Sequence, residues 1–134
     1  MRTVFRLVAS LTSLAVIVQV GLAGYGAFNA IDEADNRSVT KKTIENGFDP
    51  HGILGTIVLV LMLVLLVVAL AARVNVRIAA ILFALGIVQW LLGIGATHAA
   101  WVGFLHGVNA LAIAGVAGSL AGNEWKRARV ASTA

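Results

Sequence analysis

The sequence predicts an all-α membrane protein, a bundle of four transmembrane helices running up, down, up and down. Three observations carry this. Of its 134 residues 60% are hydrophobic, only 12% are charged, and the mean hydropathy is +0.94, well beyond what a soluble core requires. The apolar residues gather into four stretches of about twenty, the length of helix that crosses a hydrocarbon layer of about 30 Å. Almost all charge falls between or beyond those stretches.

The spans are taken in order as a single domain, 1–134. The first covers about 3–30; its start, with Arg2 and Arg6 before an apolar run, resembles a signal peptide, but the run is too long for a signal core. Residues 31–50 form the one long polar loop. Asp49 and Pro50 then supply an N-cap and a first-turn proline, so the second span begins at His51 and covers about 51–72. With its only proline at a helix start, the chain is expected to have spans free of proline kinks. The basic link Arg73-Val-Asn-Val-Arg77 permits only a hairpin into the third span, about 78–97. His98-Ala-Ala turns the chain into the fourth, about 101–122, and residues 123–134 form a polar tail.

Charge beside the spans sets the expected orientation, because lysine and arginine are retained on the cytoplasmic side. One edge carries Arg2, Arg6, Arg73, Arg77, Lys126, Arg127 and Arg129 against Glu124; the other carries Arg37, Lys41 and Lys42 against Asp32, Glu33, Asp35, Glu45 and Asp49. Both termini are therefore expected in the cytoplasm and the acidic loop outside, in a bacterial or archaeal plasma membrane. The same placement explains the pI near 10.4 by the lipid bilayer and excludes nucleic acid as a partner. The composition excludes a soluble enzyme and a disordered chain, and the absence of cysteine excludes a disulfide scaffold and iron–sulfur or thiolate sites.

The chain repeats itself weakly. Ile17-Val18-Gln19 in the first span returns as Ile87-Val88-Gln89 in the third, and His51-Gly52 in the second returns as His106-Gly107 in the fourth. Tandem duplication of a hairpin and chance in low-complexity apolar sequence explain this equally well.

The three histidines are the informative exceptions to the composition. His51 stands 22 residues from Arg73, His98 stands 21 from Arg77 and His106 stands 20 from Lys126, or roughly 33, 32 and 30 Å above the basic edge at 1.5 Å per residue. They are expected in one layer near the outer face. Gln19 and Gln89, 13 residues from Arg6 and 12 from Arg77, are expected deeper, bonded to each other or to backbone. In a four-helix bundle the second and fourth helices face each other across a diagonal of roughly 11–14 Å, over which His51 and His106 can meet one iron from opposite faces of a porphyrin. Helical neighbours at i±3 and i+4 are small, Gly55 beside His51 and Gly103 and Ala110 beside His106, so the spacing predicts a slot. Asn109 on the same face is available to a ligand ring, a propionate or a water. Plainer readings stand beside these: His51 and His98 suit a membrane interface, and the patterns Gly103 to Gly107 and Gly118 to Gly122 suit helix packing.

These motifs, His51-Gly-Ile-Leu-Gly55, Gln89-Trp-Leu-Leu-Gly93, His98 and Leu105-His106-Gly-Val-Asn-Ala-Leu111, resemble a family of small four-span bacterial and archaeal proteins of unknown function. They are also similar to one half of the heme A synthase family, whose members join two four-helix bundles, each with a histidine pair near the outer face. The resemblance implies a b-type heme ligated by His51 and His106. The second bundle is missing, as is the acidic residue beside the first-span glycine motif, which leaves heme ligation without the grounds for oxygenase-like chemistry. The leading expectation is thus a heme-binding, b-type cytochrome-like membrane protein that transfers electrons or handles heme, with Arg37, Lys41 or Lys42 available to the propionates. A second is a cofactor-free accessory subunit of a larger respiratory or transport complex, or a homo-oligomer. A third is a zinc or copper site formed by His51, His98 and His106. No carboxylate lies within a span and no nucleophile is paired with a base, so nothing in the sequence argues for catalysis.

Overall fold

A computed structural model of the chain describes residues 1–36 and 38–133, without the side chain of Asn36; Arg37, one of the expected propionate partners, lies outside the described residues. Four helices follow one another: α1 (Arg2–Asn36), α2 (Lys41–Ala72), α3 (Val76–Ala96) and α4 (Ala100–Thr133). All four are long and apolar enough to cross a membrane.

Neighbours run antiparallel, as cross-helix contacts show. Gln19 meets His51 and Gly26 meets Phe48 between α1 and α2. Gly95 meets Val102 and Asn109 meets Leu85 between α3 and α4, and Ser10 meets Trp125 between α1 and α4. Helix α1 packs on α2 and α4, and α3 packs on the same two, leaving α2 and α4 across a diagonal. Both termini and the α2–α3 turn therefore share one end.

The interior changes character along the bundle. Toward the termini it is a packed core of Phe5, Met62, Leu65, Leu82 and Leu120 among small residues such as Ala9, Ala69, Ala79 and Ala117. Lipid removes the hydrophobic drive between helices, and small side chains that let backbones approach take its place. Thr12, fully buried there, returns its hydroxyl to the carbonyl of Val8 at 2.8 Å. Outside, residues such as Leu7, Leu14, Val67 and Leu111 are exposed, as helices apolar on every face should be in a bilayer.

Two sequence expectations are corrected. Most of the polar stretch 31–50 is helical rather than loop. Helix α1 continues through Asn36, and α2 begins at Lys41, capped by Thr40, whose hydroxyl accepts the Thr43 amide at 3.2 Å. Asp49 is consequently not the N-cap, and Pro50 lies inside α2. Proline withholds the amide that would bond the carbonyl four residues back; that carbonyl belongs to Asn46, an exposed residue. The tail is helical as well, since α4 runs to Thr133.

Candidate functional site

In the half of the bundle away from the termini, the helices part around a cavity of about 800 Å³, within the range of about 300–1,000 Å³ typical of small-molecule and cofactor sites. Its floor is Val58, Met62, Gly86 and Ile113, and its polar lining is Gln19, Gln89, His51 and His106 together with Glu45 and Thr97. The two histidine rings meet edge to face across the α2–α4 diagonal, with centroids 6.0 Å apart and planes at 63°.

Each ring is tied to a glutamine of the preceding helix in the same way. The Nδ1 of His51 lies 3.1 Å from the backbone carbonyl of Gln19, and the Nδ1 of His106 lies 3.1 Å from that of Gln89. A carbonyl only accepts, so Nδ1 carries the proton in both rings and Nε2 presents its lone pair. The repeated Ile-Val-Gln and His-Gly motifs thus converge on one geometry in both hairpins.

The hairpins then diverge. Gln89 turns its amide to the His106 ring, Nε2 donating to Nε2 at 3.0 Å, while Asn109 holds the Gln89 Oε1 at 2.8 Å and the Leu85 carbonyl at 3.0 Å. Gln19 donates to the His51 carbonyl at 2.7 Å. Its Oε1 is buried with no hydrogen-bond partner. The residue three after His51 is Leu54, whereas three after His106 stands Asn109; that difference leaves one glutamine acceptor orphaned.

The small residues sort into two groups. Gly55, Gly93, Gly107 and Ala110 line the cavity. A Cβ on Gly55 would meet Gln19 Nε2 at 3.0 Å, and one on Gly93 would meet His106 Cε1 at 3.3 Å, so both glycines make room for the polar cluster. Gly103, expected in the slot, instead faces Ala96 of α3, 3.7 Å from where its Cβ would stand. Asn109 is likewise spent on Gln89 and Leu85 and acts on the site through Gln89. Phe48 sets its ring edge-on to His51, with centroids 6.3 Å apart, and packs onto Gly26.

The remaining expectations are corrected in part. The glutamines do not sit a layer below the histidines but bond to them directly. Long cationic side chains reach an interface from different depths, which makes the nearest basic residue an uneven ruler; Arg6 lies inward over the Trp125 ring at 4.4 Å. His98 is exposed in the α3–α4 turn, and among the described residues no three His, Cys, Asp or Glu groups gather to hold a metal ion, so the three-histidine site is not formed. Lys41 is paired with Glu45 at 3.4 Å on the exposed face of α2. The anchoring glutamines had a signal in the sequence: a polar residue repeated mid-span in step with a repeated histidine. Set against known proteins, the chain matches no family model, no curated protein and no solved structure.

Proposed function

We propose that the chain is a heme-binding integral membrane protein of b-type cytochrome character, in which His51 and His106 would hold the iron. One observation carries this reading: two imidazoles on diagonal helices oppose each other at 6.0 Å over a large apolar cavity. Anchoring of Nδ1 on a backbone carbonyl is the usual outer-shell support of a ligating histidine, fixing tautomer and ring angle. Glycines at 55, 93 and 107 keep the walls beside both rings low, and ligation by His106 requires the Gln89 amide to release Nε2.

When bound, such a group supplies a one-electron couple at its iron, and two histidine ligands favour electron transfer or heme handling over oxygen activation. The chain's residues do the rest. His51 and His106 would hold the iron, Gln19 and Gln89 orient the rings, and Asn109 fixes Gln89. The charge distribution supports a plasma-membrane protein with both termini cytoplasmic and the histidine end outward, receiving or passing electrons through a redox partner, a larger complex or a second copy of itself.

The test is an absorption spectrum of protein purified in detergent from heme-replete cells. A Soret band that sharpens on reduction, is lost in His106→Ala and in His51→Ala, and survives in His98→Ala is the expected result. A colourless preparation, above all one that brings a stoichiometric large partner with it, overturns the proposal in favour of a cofactor-free accessory subunit.

A further inference from the structure

At the end that gathers both termini lies a second cavity, of about 380 Å³, lined by Arg2, Arg6, Arg73 and Arg127 with Glu124 in its wall. The chain carries its largest net charge there, and the charges are poorly matched. Glu124 is buried, and its Oε1 accepts from Arg127 at 2.9 Å and from Asn75 at 2.8 Å, so the single carboxylate is already committed. The other three arginines form no ion pair among the described residues. The guanidinium of Arg6 lies 4.4 Å over the Trp125 ring, and its Nε is buried with no hydrogen-bond partner. Arg73 occupies the αL C-cap of α2 at φ 53, where glycine is the unstrained residue, and among the described residues its side chain forms no ion pair that offsets the strain.

Guanidinium groups crowded around one concavity repel each other, and a buried donor without an acceptor is costly. An anion among them relieves the repulsion. The planar fork of arginine matches the oxygens of a phosphate in paired hydrogen bonds, and basic pockets between membrane helices at an interface are suited to lipid head groups. We propose that this cavity is a phosphate-binding site, filled by the phosphate of an anionic lipid head group or by a free phosphate. The site is remote from the histidines and does not depend on what they bind.

The protein, purified and delipidated in detergent, is tested by its thermal unfolding midpoint and by native mass spectrometry. The probes are short-chain phosphatidylglycerol, inorganic phosphate and short-chain phosphatidylcholine. The comparison variant is Arg2→Gln combined with Arg73→Gly, chosen because glycine suits the αL turn, with helicity by circular dichroism as the control of folding. The midpoint is expected to rise with phosphatidylglycerol more than with phosphatidylcholine, and the double variant is expected to bind about tenfold more weakly, the loss of one or two charge-assisted hydrogen bonds. A rise with phosphatidylglycerol alone assigns the site to a lipid head group; an equal rise with inorganic phosphate assigns it to free phosphate. The proposal is overturned if no phosphate probe raises the midpoint, or if the folded double variant responds as the parent does.

Discussion

A neutral imidazole offers one donor and one acceptor, and inside a membrane neither is left unmet without cost. Both histidines spend the donor on a backbone carbonyl, a bond that survives any change of the glutamine side chain. The glutamine side chains are not equivalent. Gln89 serves the His106 Nε2 and one Asn109 hydrogen, so Gln89→Leu strands a partner on each side and is expected to destabilise the protein by about 1–3 kcal/mol. Gln19→Leu gives up one bond to the His51 carbonyl but also removes an orphaned oxygen. Its cost is expected to stay below about 1 kcal/mol. Unfolding of both variants in mixed micelles measures the difference, and equal costs would show that the orphan does not matter. That His51 and His106 share a level was legible from residue counts along α2 and α4. Their glutamine partners were not, because counting residues measures height along an axis and says nothing of how far a side chain reaches across it.

For the helices, apolar stretches were legible and helix ends were not. Hydropathy marks where a chain enters lipid, whereas a helix ends where its backbone groups find other partners. Residues 31–36 and 41–50 are polar yet helical, and the sign of the α2 start is Thr40 in a Thr-Lys-Lys-Thr segment, ten residues before the proline that drew attention. Thr40→Ala is expected to cost about 1 kcal/mol and to raise amide exchange in the first turn of α2 while the histidine end of the cavity is unaffected. Packing between α1 and α2 depends on Gly26. A Cβ there would stand 2.9 Å from two atoms of the Phe48 ring, so Gly26→Ala forces the ring or the helix aside and is expected to cost about 1–3 kcal/mol by thermal unfolding, with an accompanying change in the environment of His51.

Across the whole molecule, charge is divided end from end. Arg2, Arg6, Arg73 and Arg127 crowd the end that holds the termini, and Asp32, Glu33, Asp35 and Asp49 lie toward the other. Glu124 is the one carboxylate among the arginines, so Glu124→Gln is expected to weaken the fold by roughly 1–3 kcal/mol. The variant should also regain stability as salt rises, since added ions screen the repulsion it exposes. A parent and variant with the same salt dependence would show that the carboxylate does not balance that end. The two hairpins also differ in height. Beyond the histidine level α1 runs 17 residues from Gln19 to Asn36 and α2 10 from Lys41 to His51, against 7 from Gln89 to Ala96 and 6 from Ala100 to His106, an excess of about 15 Å for α1 and about 6 Å for α2. A head-group layer is roughly 5–8 Å deep. The crest of α1–α2, with Lys41 and Lys42, is therefore expected to reach further toward the aqueous phase than the α3–α4 turn. Trypsin added to that face of a reconstituted vesicle should nick the crest first, leaving two fragments that still hold together through the membrane.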